Sequence, residues 1–282
     1  VHAAQDFLAA PTGPVAVPPA APYTARAIKG TALLDEMRML LRAWRPGEDA
    51  HAFRQRIKDE DLLGKATAAR RDDLARRVFQ PRFLVEGDEP ASSLRRLLEV
   101  RGNGPWFAAL CLLFAARADE VLRDTVSTFL PALRARGVGA VTTPALVHFL
   151  EEQEEQGRMA RPWSSSVRKS VAQHVLHQLT DLDVLGPPRR GIRPILPYAA
   201  RSLPFSWLVC DLHRHEYSDA ALVAHRDFRI WQMTETSVRE ALDRLSELGL
   251  WVYQGAGSVV RLAFPWSDWN DVLTVLGGPS VD

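Results

Sequence analysis

The chain has 282 residues, 46% of them hydrophobic and 24% charged, and 35 Lys and Arg against 34 Asp and Glu leave a formal net charge of +1. That length suits two or three globular domains with a sizeable core. The balanced charge excludes a global polycation, so any nucleic-acid partner must be met by local basic faces. Cys111 and Cys210 lie in apolar helical patterns and read as buried thiols of a reducing cytoplasm rather than a disulfide framework. The apolar run Trp106 to Ala116 is too short to span a bilayer and no export signal is evident, so no membrane partner is expected.

In chain order, residues 1–22 are rich in Ala and Pro and read as a disordered leader; with no initiator Met, the numbering is expected to begin inside a longer or processed chain. A helical domain is expected over residues 23–160. Leu33, Leu34, Met37, Leu40 and Leu41 share one helical face, and a second helix runs from about Asp49 to Lys58. Leu74, Val78 and Phe79 mark a helix whose other faces carry Arg70, Arg71, Arg76 and Arg77, and Pro81 is expected to close it. Ser92 to Val100 and Trp106 to Arg117 give two more helices, the second apolar nearly all round and therefore central. Asp119 to Leu133 and Thr143 to Gln156 complete the block, with Thr143 as N-cap and Pro144 at the first helical position. Asp119, Glu120, Arg123 and Asp124 are spaced for local ion pairs, and Glu151, Glu152, Glu154 and Glu155 read as a solvated helix end.

Residues 161–203 read as a first unit of winged-helix type and residues 204–282 as a C-terminal winged helix-turn-helix. In the first, Ser164 to Leu182 is an amphipathic helix followed by a basic segment, Arg189 to Ile195. In the second, helices near Phe205 to His215, Asp219 to Ala224 and Thr234 to Leu248 precede a two-stranded hairpin, Trp251 to Phe264, with Gly249 as the helix stop. The fold class is thus mainly α, an all-helical N-terminal bundle followed by winged helix-turn-helix units with short β-hairpin wings.

Candidate DNA contacts follow from that geometry, in which the last helix enters the major groove. Ser164, Ser165 and Ser166 can cap the first unit's helix and donate to phosphate; Arg168, Lys169 and Gln173 follow on it, and Arg189, Arg190 and Arg193 would form a basic wing. The C-terminal unit offers Thr234, Thr236, Ser237 and Arg239, but Glu240, Asp243 and Glu247 share its surface and repel phosphate, so packing or dimerisation competes with DNA contact there. A third basic surface comprises Arg70, Arg71, Arg76 and Arg77, with Arg26 and Lys29 upstream, diluted by Asp72 and Asp73; a solvated helix face is its plainer reading.

Glycine-rich phosphate loops, HExxH pairs and GxSxG elbows do not occur, which argues against an enzyme and against a cofactor. Cys210, His213 and His215 are too few and too divergent on a helix to hold zinc, so no metal is expected.

The order of several short patches resembles the BrxA family of BREX bacteriophage-exclusion systems. They are Tyr23-Thr24-Ala25 with Gly30 and Leu33-Leu34; Asp59-Glu60-Asp61-Leu62-Leu63 followed by Arg70-Arg71; Leu110-Cys111 with Phe114 and then Glu120-Val121-Leu122-Arg123; and Ser164 to Leu185 followed by Arg193-Pro194. Asp61 and Phe114 depart from the asparagine and tyrosine expected there. The resemblance covers about Tyr23 to Leu203 and does not explain the C-terminal winged helix, which reads as an addition. It implies a NusB-like helical domain, a winged helix-turn-helix, double-stranded DNA as partner together with other BREX components, no catalytic residues, and a role in antiviral defence. An interaction scaffold within the defence complex and a regulator of the chain's own operon remain open beside the DNA-binding reading.

Overall fold

Caps and prolines set the helix boundaries of this mainly helical chain, seen here in a computed structural model that describes residues 22–29, 33–64, 67–85, 87–198, 201–257, 259–278 and 281. The leader expected over residues 1–22 lies, apart from Pro22, outside the described residues, as does Gly30 of the first family patch. A 3-10 turn, Ala25–Lys29, precedes α1 (Leu34–Ala43) and α2 (Ala50–Asp59), the latter capped by the Asp49 carboxylate.

α3 (Ala68–Leu74) passes through a π turn, Ala75–Phe79, into α4 (Gln80–Phe83). Pro81 therefore sits inside the helix instead of closing it. The π turn widens the helix just ahead of the proline, which lacks an N–H and would otherwise clash with the preceding turn. The same device recurs after α5 (Glu89–Arg101) and α6 (Pro105–Ala118): α7 (Glu120–Asp124), a π turn at Thr125–Phe129, then α8 (Leu130–Ala135) with Pro131 in its first turn. α6 is buried from Trp106 to Ala116, as its unbroken apolar pattern predicts.

β1 (Ala140–Thr142) leads into α9 (Thr143–Glu155), whose N-cap is Thr142, one residue before the expected Thr143. α10 (Ser165–Asp181) and β2 (Ile192–Pro194) follow. β2 pairs antiparallel with β1, Ala140 opposite Pro194 and Thr142 opposite Ile192, so this small sheet joins residues on both sides of position 160. Beyond it come α11 (Ser202–Arg214), α12 (Asp219–Val223), a 3-10 turn at Arg226–Trp231, α13 (Glu235–Leu245), the hairpin β3 (Val252–Ala256) and β4 (Val259–Ala263), and α14 (Trp269–Gly277).

One hydrophobic core runs through all of this, from Leu40 and Phe114 to Leu176, Trp207, Leu242 and Leu276. Residues beyond 204 share it: the rings of Phe114 and Trp207 lie 5.2 Å apart, Trp231 Nε1 donates to the Ala109 carbonyl at 3.3 Å, and Trp269 Nε1 donates to Ser93 Oγ at 2.6 Å.

A buried ionic network closes the joint. Arg117 at the end of α6 reaches Asp227 at 2.7 Å and Asp211 at 3.0 Å, and Arg123 on α7 reaches Asp227 at 2.6 Å. The expected local pairing is therefore secondary: Glu120 stands 3.4 Å from Arg123, while Asp124 instead binds Arg158 at 2.7 Å and the Tyr23 hydroxyl at 2.8 Å. Asp119 caps α7 through the N–H groups of Val121 and Leu122. Burial alone would raise the Asp227 carboxyl; Arg117 and Arg123 outweigh it and hold the group well below the usual carboxylate range.

Removing one member of such a buried network strands its partners, at a cost of about 3–5 kcal/mol. Asp227→Ala is expected to lower stability by that order in urea unfolding. Because the carboxyl's folded pKa lies below its ordinary value of 3.8, its contribution is present above that pH and lost as pH falls below it. A stability profile of Asp227→Asn should lack that acid-side component of the parent.

Candidate nucleic-acid interface

α10 begins where Ser164 Oγ accepts from the Val167 N–H at 3.3 Å, and it buries Val171, Ala172, Val175, Leu176 and Leu179. The opposite face is left to solvent: Ser166, Lys169, Gln173 and His177 are exposed at helical spacing, with Ser165 beside them at the N-terminus. Lys169 forms no ion pair among the described residues. This polar face contains no carboxylate until Asp181, which lies 3.8 Å from His177.

Arg168 is placed elsewhere. Its guanidinium donates to Glu151 at 2.8 Å, to Glu154 at 2.8 Å and to the Trp163 carbonyl at 3.0 Å. Two glutamates of the expected solvated run thus hold Arg168 against α9, and the side chain is only 15% exposed. It positions α10 and offers no free charge to a ligand.

The segment after α10 folds into a hairpin. Gly186 N–H donates to the Pro194 carbonyl at 2.8 Å, Leu185 bridges Ile195, and Arg189 and Ile192 exchange backbone hydrogen bonds at 2.9 and 3.0 Å. Between them Arg190 and Gly191 have φ of 50° and 80°, a two-residue turn with both central residues left-handed. A side chain at Gly186 would put its Cβ 2.6 Å from Pro194 Cγ, so the base of the hairpin requires glycine. Its second arm pairs with β1 through β2, and the Ile195 N–H donates to the Gly139 carbonyl at 2.9 Å. Arg189 and Arg190 are exposed at the tip without ion pairs among the described residues, whereas Arg193 is half-buried. The residues Ser164, Ser165, Ser166, Lys169, Gln173, Arg189 and Arg190 are thus carried by one helix and the hairpin that follows it.

The C-terminal candidates are differently disposed. Thr234 Oγ1 accepts from the Ser237 N–H at 3.2 Å and Ser237 Oγ accepts from the Thr234 N–H at 2.8 Å, so both hydroxyls serve as a reciprocal cap of α13. Thr236 is exposed and Arg239 half-buried. The outward face of the β3–β4 hairpin is largely apolar: Val252 and Val259 are 52% and 59% exposed, with Gln254 and Arg261 between them.

Of the third basic surface, Arg71 binds Asp61 at 2.6 Å and the Lys58 carbonyl at 3.2 Å, and so turns away from the rest. Arg26, Arg76 and Arg77 do come together, lining one cleft with Ala25 and Pro81. The groups beneath them, Asp119 and Gln178, escaped the sequence reading, which took one as an ion-pair member and singled out the other not at all. The Arg190-Gly191 turn was marked only by its glycine. Cys210 is buried, and His213 stacks on Phe264 with ring centroids 3.7 Å apart.

Replacing Arg168 by Ala removes charge-assisted bonds to two helix-borne glutamates, worth about 1.5–3 kcal/mol where such bonds are partly buried. Arg168→Ala should lower the urea midpoint clearly, and Glu154→Gln less, because Glu151 remains.

A search of curated proteins returned no match. Among the described residues no helix is long and apolar enough to cross a membrane. Comparison with protein families matches residues 21–200 to BrxA, the span in which the sequence patches, the β1–β2 sheet and the arginine-tipped hairpin all fall. On this match the chain belongs to the BrxA family and is a component of a BREX phage-defence system.

Proposed function

We propose that the chain is a DNA-binding accessory protein of its defence system, taking up double-stranded DNA with little sequence preference through α10 and the Arg189-Arg190 turn. The observation that carries the reading is the pairing of a carboxylate-poor helix face with an arginine-tipped hairpin built directly behind it. The order α7 to α8, β1, α9, α10 and then a hairpin whose second arm pairs with β1 is that of a winged helix-turn-helix, with α10 as recognition helix and the turn as wing. α11, α12, α13 and the β3–β4 hairpin repeat the helix-then-hairpin order in a second such unit.

Serine hydroxyls, a lysine and a glutamine on the helix, with two arginines at the tip, suit phosphate contacts more than base readout, hence the low expected specificity. Each phosphate neutralised contributes about 0.9 to the slope of log affinity against log salt. The triple variant Lys169→Ala, Arg189→Ala, Arg190→Gly should therefore bind duplex DNA more weakly and lose about 2 to 3 from that slope in a fluorescence-anisotropy titration. Glycine at 190 keeps the left-handed turn, so a loss reports charge and not a broken hairpin. Unchanged affinity and slope would refute the assignment.

A second reading, an interaction scaffold, is favoured by the apolar outward face of β3–β4 and the mixed charge of α13. Absence of any DNA binding by the parent chain at low salt, with co-purification of other BREX components, would select it. A strong preference for one palindromic site would select an operon regulator instead.

A further inference from the structure

A second concave site lies away from the α10 face. The 3-10 turn Ala25–Lys29, the π turn Ala75–Phe79 and the start of α4 line a cleft of about 520 Å³, whose mouth is formed by Arg26, Arg76, Arg77 and Pro81. Under the mouth a narrow recess of about 30 Å³ reaches Arg82, Asp119 and Gln178.

The mouth is cationic. Arg26 is exposed and forms no ion pair among the described residues; Arg77 has a single carboxylate, Asp73, at 2.8 Å, and Arg76 stands 3.9 and 4.0 Å from Asp72 and Asp73. Asp72 is itself engaged at 2.7 Å by Arg54 and at 2.9 Å by Lys58, so it does little to neutralise the cleft. Two adjacent arginines line one cleft because they lie on the π turn that Pro81 imposes, and such turns are enriched at functional sites.

The floor is polar. Gln178, 2% exposed, brings a buried side-chain amide to the lining of the recess. Asp119 uses only Oδ1 for its two backbone N–H bonds, leaving Oδ2 as an acceptor. Three guanidiniums at the mouth, and inside an amide and a carboxylate whose charge is balanced by the neighbouring buried Arg82, call for a ligand whose anionic group stays at the mouth while a hydroxyl or amine goes deeper. The double helix presents phosphates on a convex surface and cannot send a group into so narrow a recess.

We propose that this cleft binds a small phosphorylated compound of nucleotide or sugar-phosphate type, its phosphate held by Arg26, Arg76 and Arg77 and a neighbouring hydroxyl or amine by Gln178 and Asp119. The site is independent of the DNA-binding face and stands or falls apart from it. Isothermal titration of the full chain with inorganic phosphate, ribose 5-phosphate and adenosine 5′-monophosphate tests it and separates sugar phosphate from nucleotide. At least one organic phosphate should bind about tenfold or more tighter than inorganic phosphate, a difference of about 1.4 kcal/mol. Arg26→Ala, an exposed change that leaves the core alone, should weaken every one of these ligands. Gln178→Leu, close in volume and apolar, should keep the melting temperature and inorganic-phosphate binding but erase the preference for the organic phosphate. Absence of binding by all three probes, binding indifferent to Arg26→Ala, or a preference indifferent to Gln178→Leu would overturn the proposal. So would a loss of duplex affinity in Arg26→Ala with no small-ligand binding in the parent, since the mouth would then belong to a DNA track.

Discussion

Asp227, set between Arg117 and Arg123, is the contact on which the arrangement of the chain turns. Both arginines lie within the family-matched residues 21–200, and both need counter-charge because burial of an unpaired guanidinium is costly. The carboxylates that supply it, Asp227 and Asp211, come from beyond that span. The last third is therefore packed into the same interior as the family-matched span. From this centre the network continues through Glu120 and Arg158 to Asp124 and the Tyr23 hydroxyl, so Tyr23, α6, α7 and the C-terminal segment are held by one set of charges.

That joint also fixes how the two hairpins stand to each other. Arg134 on α8 donates both to the Leu196 carbonyl, at the foot of the arginine-tipped hairpin, and to Gln232, just ahead of α13. With the Asp227 contacts this ties the second helical unit to the first through side chains of α6, α7 and α8, elements that neither hairpin belongs to. A partner touching both hairpins would meet a preset spacing, with little ordering cost on binding.

Local features were legible in the sequence and distant pairings were not. The buried span of α6, the cap at Ser164, the stop at Gly249 and the β3–β4 hairpin follow from periodicity and turn chemistry, which act within a few residues. Arg123 shows the limit: its spacing from Glu120 suggests a local pair, but its shorter contact is to Asp227, 104 residues away. Pro81 shows another, since a proline read as a helix stop is instead absorbed by a π turn ahead of it. The basic wing was visible as composition, while its two-residue turn was obscured by Pro187-Pro188 and by a strand partner, β1, lying before two intervening helices.

The same pairings explain how a chain of net charge +1 can present a cationic surface. Charge seen by a polyanion is what remains after internal neutralisation, since paired ions a few ångströms apart cancel at the distances over which salt screens. Asp211 and Asp227 are absorbed by Arg117 and Arg123, and Glu151 and Glu154 by Arg168. These four carboxylates thus lie inside or beside their own arginines, while Lys169, Arg189, Arg190 and Arg26 have no ion-pair partner among the described residues. Net charge is a poor guide to this face because these acidic residues build the fold while its unpaired basic ones face outward. Lys169, Arg189 and Arg190 thus stand unpaired on one face of α10 and its hairpin, and Arg26 on the turn packed against the other side of the same helix.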